Sequence, residues 1–166
     1  MYAIKLDNSG YRAIDGANQI DASEIVYEGD NVESVVVDNG LVRAINNTDL
    51  LLRAKKAKIE ALKYDCTNAI QAGFTSPALG ETHTYDSSLP QDQTNLLGAR
   101  IAGIDMYFTC TDSNGYKSQK WHTAAQMAQV YSAGMVHLQT QKQRFYARKL
   151  AVEQAQAIEA IESVVW

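Results

Sequence analysis

Three histidines, His83, His122 and His137, and two cysteines, Cys66 and Cys110, are the side chains here that could ligate a metal or attack a substrate. Zinc sites draw their ligands from short local pairs, because a turn or one helical repeat then presets two of the four tetrahedral positions. No pair in this chain has that spacing, so no metal is expected. Cys110, His122 and Asp112 are the residue types of a nucleophile, a base and an orienting carboxylate, but no flanking signature of a thiol enzyme accompanies them. Asp112-Ser113-Asn114-Gly115 opens like a calcium loop, yet Gln119 and Lys120 follow where a bidentate carboxylate is needed. Asp112 and Asn114 are therefore read as turn formers, His122 as a residue hydrogen-bonded near a helix start, and the cysteines as two buried thiols rather than a disulfide. There is no phosphate-cradling glycine loop and no paired-carboxylate region suited to polysaccharide cleavage. The reading is non-enzymatic, with no catalytic residue and no cofactor.

The element that must hold His122 in place is the helix that follows it. Thr123 and Gln126 have the spacing of a capping box, in which the hydroxyl accepts from a backbone N–H one turn on while the carboxamide returns to the cap's own N–H. From 124 to about 161 the chain contains no proline and one glycine, Gly134, and is rich in Ala, Gln, Lys, Arg, Leu and Met, which predicts one long helix. Its apolar groups include Met127, Val130, Tyr131, Leu138, Phe145, Leu150, Ile158 and Ile161, interrupted by the polar run 139–144. That stripe is compatible with a two- or three-stranded coiled coil and equally with pairing inside the chain. Tyr131, Leu138, Phe145 and Trp166 are the candidate interface residues, the last because an exposed Val164-Val165-Trp166 end calls for a partner or a second copy.

Upstream, residues 106–111 and 116–121 read as a hairpin about Asp112-Ser113-Asn114-Gly115. Pro90 starts a shorter helix, capped by Ser88 or Asp86, whose Gly98 and Gly103 predict close approach of a neighbouring backbone. Residues 75–90 form an ordered loop with a short strand at His83-Thr84-Tyr85. A helix from 49 to 72, capped by Asn47-Thr48, carries Leu52, Ile59, Leu62, Cys66, Ala69 and Ile70 on one face and stops at Gly73. Before it, Tyr2 to Leu6 and Tyr11 to Ile14 make a hairpin about Asn8-Ser9-Gly10. A second hairpin joins a strand at 32–37 to one at 41–45 through Asn39-Gly40. With a short strand at Ile25-Val26-Tyr27, these form a small antiparallel sheet of about four strands. The class is α+β: an N-terminal β module at 1–47, then a mainly helical domain at 48–166 with the hairpin inserted at 106–121.

The 166 residues carry a net charge of −4, which speaks against a general nucleic-acid surface. Charge is uneven: residues 1–47 hold three basic and eight acidic side chains, residues 48–72 five basic and three acidic, and this shift marks the module boundary. No apolar leader opens the chain and no window is long and uncharged enough to span a bilayer, so neither membrane nor export is expected.

Five blocks occur in order: Ala72-Gly73-Phe74-Thr75-Ser76, His83-Thr84-Tyr85-Asp86-Ser87, Gln93-Thr94-Asn95-Leu96-Leu97-Gly98-Ala99, Asp112-Ser113-Asn114-Gly115 and Trp121-His122-Thr123-Ala124-Ala125-Gln126. Together, over roughly residues 55–155, they resemble an uncharacterised domain family of tailed-bacteriophage tail and tail-fibre-associated proteins. The N-terminal Met-Tyr-Ala-Ile-Lys and Gly-Tyr-Arg-Ala-Ile are similar, on fewer residues, to tail-fibre assembly proteins. The resemblance implies a structural protein at the baseplate or tail-fibre region, or alternatively a tail-fibre assembly chaperone. Its partners would be other phage tail or tail-fibre proteins and further copies of itself, a trimer among the symmetries open to it. It would be located in the host cytoplasm during assembly and in the virion tail afterwards.

Overall fold

Tyr2–Lys5 (β1) is a strand whose adjacent residues Ala3 and Ile4 are both buried, and it pairs antiparallel with Tyr11–Ala13 (β2) on one side and Glu24–Tyr27 (β3) on the other. The computed structural model describes residues Met1–Trp166 and divides into two units, Met1–Arg53 and Ala54–Trp166. In the first unit a separate two-stranded sheet joins Val35–Asp38 (β4) to Leu41–Ala44 (β5). Asn39 at φ 51° and Gly40 at φ 76° give the expected type I′ turn. The expected sheet of about four strands is thus five strands in two sheets. Strand 32–37 also begins later than expected: Val32–Ser34 is a 3₁₀ turn, with Asn31 accepting from the Glu33 N–H. That turn drops Val32 into a core with Ile4 and Val37. The Asn8 carboxamide ties the two sheets together, donating to Val37 C=O at 2.8 Å and accepting from Val37 N–H at 2.7 Å.

Helix Asn47–Gln71 (α1) starts in the first unit and continues into the second. Its cap is Asn46 rather than Asn47-Thr48: Asn46 accepts from Asp49 N–H at 3.0 Å and Asp49 accepts from Asn46 N–H at 2.9 Å. Arg43 grips the same carboxylate at 2.6 and 3.0 Å, and this guanidinium, with the Asn46 N–H, lowers the Asp49 pKa to about 2. The expected apolar stripe is buried at Leu62 and Cys66, whereas Leu52 is 60% exposed.

In the second unit, strands Phe74–Ser76 (β6), His83–Tyr85 (β7), Met106–Thr111 (β8) and Lys117–His122 (β9) form one antiparallel sheet in that order. Helix Pro90–Ala102 (α2) lies between β7 and β8 in sequence, and Ala124–Gln154 (α3) follows β9. Phe74, Tyr85 and Cys110 from the sheet and Val130 from α3 form the core. Gly134 lets the Phe74 ring lie against α3, since a Cβ there would stand 2.9 Å from Phe74 Cζ. Three contacts settle which way α3 pairs. His137 Nε2 donates to Ala69 C=O at 3.0 Å, the Cys66 thiol to Gln141 C=O at 3.6 Å, and Lys55 to Glu153 C=O at 2.7 Å. α3 therefore runs antiparallel along α1 within the same chain.

The long helix expected to reach 161 ends at Gln154 and resumes as Ile158–Glu162 (α4). Ala155 leaves helical geometry at ψ 137°, and the redirected chain buries Ile161 to 2% exposure. The α2 cap also differs from expectation. Leu89 occupies that position, and Asp92 accepts from Leu89 N–H at 3.0 Å, with neither Ser88 nor Asp86 as cap. Gly103 is the left-handed C-cap of α2 at φ 60°, and Gly98 faces open space, so neither records a close backbone approach.

Candidate protein-interaction site

Of the residues that looked most chemical in the sequence, His83, His122 and Cys110 are buried on the four-stranded sheet, while Cys66 is buried on α1, His137 is half-buried on α3 and Asp112 sits in the β8–β9 turn. His122 is fully buried: its Nδ1 donates to Lys120 C=O at 2.9 Å, and its Nε2 accepts from the Tyr85 hydroxyl at 2.8 Å. Burial lowers the His122 pKa below its ordinary 6.5 and so keeps the ring neutral, while burial raises the Tyr85 hydroxyl and the Cys110 thiol. Asp112 accepts from the N–H groups of Asn114 and Tyr116, both at 2.9 Å, and so shapes the hairpin turn. Both His122 nitrogens are thus committed elsewhere than to Cys110 or Asp112. His83 donates through Nδ1 to Glu81 C=O at 3.1 Å, and His137 is held by α1. No three of His, Cys, Asp and Glu converge as metal ligands.

This buried network positions the start of α3. Thr123 Oγ1 accepts from Gln126 N–H at 3.2 Å and Gln126 Oε1 accepts from Thr123 N–H at 2.8 Å, completing the capping box read from the sequence. Asp105 Oδ1 takes a further free donor, Ala124 N–H, at 2.9 Å.

With its direction fixed, α3 carries Tyr131 and Leu138 to the wall of an apolar cleft of about 190 Å³, shared with Ile70, Phe74, Leu96 and Leu97. Leu97, 44% exposed, and Met135, 38% exposed, also line it, and the neighbouring positions Ile101 of α2 and Val136 of α3 are 74% and 66% exposed. Two of the interface residues expected from sequence, Tyr131 and Leu138, therefore meet in one place. Phe145 and Trp166 do not line this cleft. Phe145 packs beside Tyr146 with ring centres 5.5 Å apart, and Trp166 lies under the Arg144 guanidinium at 4.8 Å. Arg148 also donates to Val165 C=O at 2.6 Å, so the C-terminal residues dock on α3 of their own chain. Sequence reasoning did not assign Leu97 and Ile101 to an interface, although their i, i+4 spacing on α2 is the signal that marks one face of a helix.

Comparison with curated proteins and with solved structures gives no match. A family model described as Domain of unknown function (DUF4376) matches residues 53–165, which takes in all of α2, α3, α4 and the four-stranded sheet. On that match over the greater part of its length, the chain belongs to the DUF4376 family.

Proposed function

We propose that this chain is a non-enzymatic structural protein of a bacteriophage tail, placed at the baseplate or tail-fibre region and acting through contacts with other tail or fibre proteins and with its own copies. The observation that carries the protein-contact reading is the apolar cleft lined by Tyr131, Leu138, Leu96 and the part-exposed Leu97 and Met135, with the exposed Ile101 one turn beyond Leu97 on α2. An apolar cleft whose walls are partly exposed is the kind of surface that another protein covers. The tail setting rests on the five sequence blocks between Ala72 and Gln126. A second reading, a tail-fibre assembly chaperone, is favoured by the N-terminal Met-Tyr-Ala-Ile-Lys and Gly-Tyr-Arg-Ala-Ile segments, which form β1 and β2. On either reading the protein works in the host cytoplasm during assembly, needs no cofactor and binds neither nucleic acid nor membrane; no helix is long and apolar enough to cross a membrane.

Quantitative mass spectrometry on extensively purified virions tests this. A fixed copy number matching threefold or sixfold tail symmetry supports the structural role. Absence from virions, with recovery from infected-cell lysate bound to fibre protein, selects the chaperone. Absence from both sinks the tail assignment.

A further inference from the structure

The hydrogen-bond pattern of β8 leaves part of one edge open. Asp112 N–H donates to Tyr116 C=O at 3.1 Å to close the hairpin, and the register pairs Cys110 with Ser118, Phe108 with Lys120 and Met106 with His122. Antiparallel strands alternate the direction of their backbone groups, so Met106, Phe108 and Cys110 bond to β9 while Tyr107, Thr109 and Thr111 point the other way. On that side β7 meets β8 at Thr84↔Thr111 alone. The N–H and C=O groups of Tyr107 and Thr109 have no backbone partner in the chain.

Tyr107 and Thr109 line a cleft of about 760 Å³ that also takes in α2, Gln119 of β9 and the ion pair between Lys117 and Asp86. Its volume lies within the roughly 300–1,000 Å³ typical of ligand sites. Ala99 and Phe108 supply apolar lining, and Asp92, Asn95 and Gly98 of α2 stand on the wall. Gly98 keeps that wall low, because a Cβ there would meet nothing within 4 Å. The outer edge of β9 is a poorer competitor, because that strand carries Lys117 and Lys120, and charges of this kind discourage edge pairing.

We propose that the cleft between β8 and α2 is a strand-addition site that takes an extended segment of a partner protein, hydrogen-bonded to the backbone of Tyr107 and Thr109. Donor and acceptor pairs two residues apart along a strand are the complement of an extended chain, and neither a helix nor a compact small molecule repeats that spacing. The occupant alternates small apolar side chains, directed toward Ala99 and Phe108, with polar ones directed to the rim. This inference is independent of the tail assignment and of the apolar cleft beside α3.

The test uses the full chain and a synthetic probe, acetyl-Thr-Val-Thr-Val-Thr-amide, followed by amide hydrogen exchange and by chemical-shift titration. Without peptide, the Tyr107 and Thr109 amides are expected to exchange at least about tenfold faster than those of Phe108 and Cys110; saturating peptide should slow them by a similar factor. N-methylation of alternate peptide amides should weaken binding about tenfold or more, the equivalent of one or two net hydrogen bonds. Gly98→Leu, which has room in the free protein and favours the helix, should keep the fold and abolish binding. Slow exchange at Tyr107 and Thr109 in the free monomer, equal binding of the N-methylated peptide, or unchanged binding by Gly98→Leu overturns the proposal. Protection that rises with protein concentration in the absence of peptide also overturns it, because a second copy would then fill the cleft.

Discussion

His122 is neutral in the folded protein because its buried ring has one nitrogen donating to Lys120 C=O and the other accepting from Tyr85. Its folded pKa lies below 6.5, so below pH 6.5 the unfolded chain binds the extra proton first and stability falls with pH. Denaturant midpoints measured from pH about 7.5 down to about 5.5 should decline, and His122→Gln should flatten that decline. Asp49 acts in a separate window. Its pKa is lowered from 3.8 to about 2, so its contribution is complete above 3.8 and disappears as pH falls through about 2. Tyr85→Phe removes the donor to His122 Nε2 and leaves that nitrogen buried and unpaired, a loss of about 1–3 kcal/mol by urea unfolding. A loss near zero would mean that water reaches the ring. The sequence marked His122 as a hydrogen-bonded residue at a helix start, but Tyr85 stands 37 positions away and no local pattern connects them.

At the level of elements, the Asn39-Gly40 turn and the α3 capping box were legible because they depend on spacing of three or fewer residues, whereas the caps of α1 and α2 fall on Asn46 and Leu89 rather than on the residues the sequence offered. Thr123 and Gln126 fall on the capping positions, and Thr123→Ala is expected to cost about 1 kcal/mol of thermal or chemical stability. An unchanged melting curve would place the helix start elsewhere. The break in the last helix had no such mark: Ala155, Gln156 and Ala157 are ordinary helix-compatible residues. Continuing straight would leave Ile161 in water, whereas turning buries it and brings Glu162 C=O within 3.1 Å of Lys58 Nζ. Ile161→Ala should therefore destabilise by roughly 2–5 kcal/mol, a core penalty, while the same change at the 74%-exposed Ile101 should leave unfolding almost unchanged. Equal effects at the two positions would refute the docked position of α4.

For the whole molecule, the proposed contact surface separates folding from association. Ile101→Asp and Val136→Asp place charge at side chains 74% and 66% exposed, so Tm should stay within a few degrees while co-purification with a partner is lost. Association that survives both changes would move the interface away from the Tyr131–Leu138 cleft. By itself the sequence determined the α+β class, the hairpin at Asn39-Gly40, the existence of α1, α2 and α3, and the capping box that starts α3. Each follows from backbone preferences, apolar periodicity or contacts between residues near in sequence. Tertiary structure alone decided that the N-terminal strands divide into two sheets, that α3 pairs with α1 of its own chain, and that the last helix breaks at Ala155. It also decided which apolar residues of α2 remain uncovered and where β8 is left without a neighbour. These depend on which surfaces come together across tens of residues, where a gain of a few kcal/mol from burial outweighs local propensities of less than about 1 kcal/mol per residue.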